Sequence, residues 1–81
     1  MSDVELRERL AAVQHEIWAH WMHYMFTQGT YSDGVWTMPA DKVERWSRQM
    51  ATPYSGLTFK EQESDRHQAN KVMAVLQEVP A

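Results

Sequence analysis

Three imidazoles and a carboxylate crowd one short segment, His15-Glu16-Ile17-Trp18-Ala19-His20 with His23 just beyond, and these residue types bind zinc or pass protons. Their spacing argues against a shared metal. His15 and His20 stand about 140° apart around a helix, whereas a His-Glu-x-x-His zinc pair sits at i,i+4 on one face. Glu16 can face His20, and His20 can face His23, but the sequence shows no third ligand or outer support. No metal is expected, and the histidines read as solvated or locally bonded. Glu61 and Asp65, at i,i+4, have the spacing for general acid–base work. Glu61 has a simpler use, however, closing the capping box Thr58-x-x-Glu61. There is no cysteine, no Gly-x-Ser-x-Gly turn, and no glycine-rich phosphate loop. The reading is therefore of a chain that is not an enzyme, with no catalytic residue and no cofactor.

What remains is chemistry for holding a ligand. Flat rings beside a cation are how proteins stack nucleobases, each stack contributing roughly 1–3 kcal/mol. Trp18, Tyr31, Trp36 and Tyr54 are the candidate rings, and Arg66 is the candidate cation for a phosphate. In so small a chain a loop ring such as Tyr31 or Trp36 is more often a cover for the core than a platform for a ligand.

These residues need elements to position them. Ser2-x-x-Glu5 has the form of a capping box, and Leu6, Leu10, Val13, Ile17, Trp21 and Met25 then recur at spacings of three and four. A first helix over residues 3–27 follows, roughly 37 Å long at ~1.5 Å per residue. Its second half, Trp18 to Phe26, is apolar on several faces, which requires burial on more than one side, beneath the rest of the chain or against a second copy. Gly29 to Thr37 breaks the helix, and Asp33-Gly34 suits a type I′ turn between two short β-prone runs. Pro39 opens a second helix carrying Val43, Trp46 and Met50, which ends before Pro53. A third helix starts at the Thr58 box and runs to about Glu78, with Pro80 as its stop. The fold class is thus mostly α: a single small three-helix domain over 1–81, with a loop or minimal β-hairpin between helices 1 and 2.

Helical phase makes Asp65 conspicuous. Stepping back from Val79 through Leu76, Val72 and Ala69 lands on Asp65, which the pattern places on the apolar face. A buried carboxylate needs a donor. Trp N–H groups, His15 and the backbone amides near Tyr54 and Ser55 are the candidates, and Asp65 would then pin the Pro53-Tyr54 loop to the third helix. Arg66, one step round, is free to meet a carboxylate of the first helix or a bound anion.

Composition narrows the rest. Four Trp, three Tyr and two Phe in 81 residues can close a small core, and six Met can fill its gaps. The lack of cysteine fits a reducing cytosol, and no stretch reads as a signal peptide or membrane span. A net charge of −3 argues against nucleic acid as partner. A cytoplasmic location with no membrane partner is expected.

His15-x-x-Trp18, Pro53-Tyr54-x-x-Leu57 and Glu61-x-x-x-Asp65-Arg66, followed by Ala69, Val72 and Leu76, resemble the ryanodine-receptor repeat over roughly residues 13–78. Gln28-Gly29-Thr30-Tyr31 echoes the family's glycine-aromatic loop loosely. The family's Gly-Trp pair becomes Gly29-Thr30, and a helix around Trp46 replaces the basic loop usual before Pro-Tyr. The resemblance implies a noncatalytic module, with nucleotide binding known in one tandem pair of repeats and prokaryotic copies suspected as sensors of nucleotide-derived signals. The small stand-alone form is similar to phage and prophage proteins. The expectation is a binder of a nucleotide-like small molecule in the (host) cytoplasm, working as a homo-oligomer that restores the pair of repeats. If phage-encoded, it would sequester a host defence signal. The competing expectation is a protein-interaction or assembly factor with no small ligand.

Overall fold

A computed structural model describes residues 1–79. In chain order the elements are helix α1 (Asp3–Thr27), strands β1 (Thr30–Ser32) and β2 (Val35–Thr37), helix α2 (Ala40–Ala51), a single 3-10 turn (Tyr54–Gly56) and helix α3 (Phe59–Leu76). The three helices and the intervening hairpin follow the expectation from periodicity and capping. Ser2 Oγ accepts the Glu5 amide at 3.1 Å to open α1. Thr58 and Glu61 cap α3 reciprocally, each side chain accepting the other's backbone N–H at 3.2 and 3.0 Å. Beyond Leu76 the chain continues in turns to Val79. Pro80, expected to stop the third helix, lies outside the described residues.

The hairpin pairs Thr30 with Thr37 and Ser32 with Val35, antiparallel. Asp33 (φ 53°) and Gly34 (φ 76°) both take positive φ, the requirement of a type I′ turn. Gly29 matters for a different reason. A Cβ there would collide with the Trp36 indole and the Thr37 carbonyl oxygen, so only glycine lets the chain leave α1 beneath that ring.

Helices α1 and α3 lie against each other, with the Arg9–Glu78 ion pair joining the start of one to the end of the other, so they run antiparallel. Leu6, Leu10, Val13, Ile17, Trp21 and Met25 are all partly covered, as their spacing predicted. The inward faces of α2 and α3 follow expectation only in part: Trp46, Val72 and Val79 are partly covered, while Val43 is exposed. Asp65, Ala69 and Leu76 are exposed, and α3 instead turns Glu61, Gln68 and Val75 inward, one helical step round. On α2, Met50 is 85% exposed and Gln49 is covered in its place. In both helices a polar residue takes the inward position beside the apolar one that periodicity selected. Val75 is the only buried apolar side chain among the described residues.

The result is an open slab of 48 × 34 × 16 Å. Its thin dimension is little more than one helix with side chains, about 10–12 Å. The radius of gyration is 16.3 Å, against roughly 12 Å for a compact domain of this length.

Candidate functional site

The candidate rings and the candidate cation come from five elements, and they fall in three separate places. Trp18 lies on the outer side of α1, 55% exposed, its indole stacked on His15 of the preceding turn at 5.8 Å between centroids. The i,i+3 spacing of His15 and Trp18 brings the rings together, so that pair is a local product of the helix.

Tyr31 and Trp36 face each other across the hairpin register, where cross-strand neighbours meet. Their situations differ. Tyr31 is 70% exposed. Trp36 lies over the end of α1, donating its indole N–H to the Phe26 carbonyl oxygen at 3.3 Å and meeting the Phe26 ring edge-on at 5.8 Å. Its polar handle is occupied by a backbone bond, which makes Trp36 an anchor for the hairpin, as loop aromatics in small cores commonly are.

Tyr54 and Arg66 come close together at the base of α3. The Arg66 guanidinium sits 5.6 Å over the Phe59 ring, bonds Glu63 at 2.5 Å and donates to Gln62 at 3.2 Å. Glu63 above all, with the Tyr54 phenol adding to it, holds Arg66 above its ordinary pKa, so the cation is permanently charged. It is also already paired. Arg66 takes its carboxylate from its own helix, at i−3, and the ion pair that reaches α1 is made by Arg9 instead.

The buried carboxylate is Glu61, whereas Asp65, expected to be buried, is exposed. Besides capping Thr58, it accepts from Arg48 of α2 at 3.2 Å. The backbone N–H of Thr58 is the main cause of its lowered pKa; burial opposes this, and the Thr58 hydroxyl and Arg48 reinforce it. The Pro53-Tyr54 loop is pinned by Gln62, whose side-chain N–H donates to the Tyr54 carbonyl oxygen at 2.9 Å. Gln62 could have been found from its place one turn into the capped helix, within reach of the turn before it. Trp18, Asp65 and the loop therefore do not form one constellation: Trp18 and Asp65 are exposed and the loop is held by Gln62.

Gln68 is a second polar residue turned inward, and its side-chain oxygen is buried with no hydrogen-bond partner. Among the described residues no three His, Asp or Glu side chains gather to hold a metal. No helix among them is long and apolar enough to cross a membrane. The concavities lie along the N-terminal half of α1 and are shallow and open. None of the candidate ligand residues lines them.

Apolar side chains go round both sides of the second half of α1: one stripe meets the rest of the chain, while Trp18 stands about half exposed on another, and Phe26, also half exposed, meets the hairpin through Trp36. Comparison with family models, characterised proteins and solved structures finds no match to this chain.

Proposed function

We propose that this chain is a noncatalytic interaction module that works by docking another polypeptide on the outer face of α1, centred on Trp18. The observation that carries this reading is Trp18, 55% exposed on one side of a helix whose other side already meets the chain's own core, with the half-exposed Phe26 at the end of the same side where it meets Trp36. Tryptophan is the residue type most often found at the energetic centre of protein interfaces. An open slab with one buried apolar residue among the described residues has the surface economy of a part rather than a finished body. The ryanodine-receptor-repeat resemblance implies a binding rather than a catalytic role, and the nucleotide ligand it implies belongs to the second reading below.

Hydroxyl-radical footprinting of the full chain inside expressing cells tests the reading. Trp18 and Phe26 are expected to be strongly protected relative to Tyr31 and Met50. Equal reactivity at Trp18 and Met50, corrected for intrinsic rates, would remove it.

A second reading rests on the cluster of Tyr54, Phe59 and Arg66, where ring faces and a fixed cation share one open surface. There a nucleotide-derived signal would stack on a ring and place phosphate at Arg66, with sequestration of a host signal as its use. Thermal shift against mono-, di- and cyclic nucleotides decides it: a ligand at 100 times its Kd adds about 2.7 kcal/mol of stability. Absence of any shift across the panel leaves the interaction reading alone.

A further inference from the structure

We infer that the partner on α1 is a second copy of this chain, packed through an isologous helix–helix crossing centred on Trp18; this rests on the interaction reading above and names its occupant. Three observations lead there. The first is area. The chain exposes 6382 Å² for a mass of 9.5 kDa, whereas a compact monomer of that mass exposes about 5,000 Å². The surplus is therefore about 1,300 Å² per chain, or about 2,600 Å² for a pair, inside the roughly 2,000–5,000 Å² range of obligate homodimers.

The second observation is pattern. At about 100° per residue, Ala11, His15, Trp18, Met22 and Phe26 fall on one stripe of α1, about 130° round from the stripe that meets the core; Ala11, His15 and Trp18 are exposed, Met22 is partly covered, and Phe26, half exposed, ends the stripe against Trp36. Over that length no Asp, Glu, Lys or Arg lies on the stripe. Its midpoint is Trp18. Such a surface is self-complementary: in a two-fold crossing Trp18 meets its own copy, Met22 faces His15, and the small Ala11 makes room for Phe26, all without placing like charges together.

The third observation is dependence. A chain whose only buried apolar side chain among the described residues is Val75 gains little from its own core, and small domains in that position are completed by association. A partner required for folding has to be present whenever the chain is made. A second copy always is, and homo-oligomers with two-fold symmetry are the commonest solution.

The test uses the whole chain. Light scattering on a chromatography column, over a concentration series, is expected to give twice 9.5 kDa. Trp18→Glu is expected to halve that mass. Because loss of the partner can also cost that variant helicity, a crosslinking measurement reads the face directly. The chain has no cysteine, so a single one can be placed at will. Trp18→Cys is expected to crosslink chain to chain under oxidation or with a short bismaleimide, and Glu16→Cys, about 160° round the helix from it, is expected not to. A strictly monomeric wild-type mass overturns the inference, and the cellular footprint then says whether the interaction reading survives with a different polypeptide. A dimer that crosslinks through position 16 and not 18 overturns the assigned face.

Discussion

The base of α3 and the outer face of α1 are built in opposite ways. At the base of α3, Thr58, Glu61, Arg48, Gln62 and the Tyr54 carbonyl form directed hydrogen bonds that tie α2, the 3-10 turn and α3 together. The hairpin is held in the same manner by the Trp36 indole on the Phe26 carbonyl. Across the outer face of α1 runs a stripe of apolar and aromatic side chains, and its only ring partner for Trp18 is His15 of the same helix. Directed bonds fix one arrangement of the chain's own elements, whereas undirected apolar area is satisfied by any matching surface. The difference separates the part of the molecule that specifies the fold from the part proposed to meet a partner.

The sharpest way to break the anchored side is Gly29→Ala. The added methyl must displace the Trp36 ring or the Thr37 carbonyl, and overpacking of this kind costs about 1–3 kcal/mol. Near-UV circular dichroism should lose the Trp36 contribution while the helical signal persists. Thr58→Ala comes next. It removes the hydroxyl half of the capping box, a loss of about 1 kcal/mol, which for a chain of this size lowers Tm by roughly 4–8 °C. Calorimetry at fixed protein concentration measures it. If instead Tm holds and only association weakens, the division between the two regions is wrong.

Gln68→Leu should act in the other direction. It replaces a buried oxygen that has no partner, and relieving such a group contributes about 1 kcal/mol or somewhat less once the shape change is absorbed. A rise in Tm checks it, and a fall would mean that Gln68 has a partner in the assembled protein. The smallest effect concerns pH. Because Glu61 titrates below its ordinary value of 4.5 when folded, its contribution to stability is fully present above that pH and is lost as the pH falls through the folded value. Urea midpoints between pH 6 and pH 3 should therefore decline, and Glu61→Gln, less stable at pH 6, should flatten part of that decline.

Much of the fold was legible in the chain. The caps Ser2 and Thr58, the Asp33-Gly34 turn and the boundaries set by Pro39 and Pro53 are local features, decided by neighbours three or four residues away. The candidate site was legible only as an inventory. Trp18, Tyr31, Trp36, Tyr54 and Arg66 are where their elements put them, yet only Tyr54 with Arg66 and Tyr31 with Trp36 come near each other. Sequence alone had no means to bring Trp18 to the others, because that depends on how helices cross rather than on how each is wound.

The sequence by itself determined the helices, the hairpin and the surplus of apolar residues on α1, since periodicity and capping operate within one element. The tertiary structure alone decided which side of α2 and α3 turned inward. Apolar spacing pointed to Met50, Asp65 and Leu76, but the Arg48–Glu61 pair and the reciprocal Thr58 cap draw Glu61 inward, and a rigid helix must then carry Gln68 and Val75 with it. A residue one step away turns by about 100°, so one satisfied carboxylate at the start of α3 fixed the phase of the whole helix.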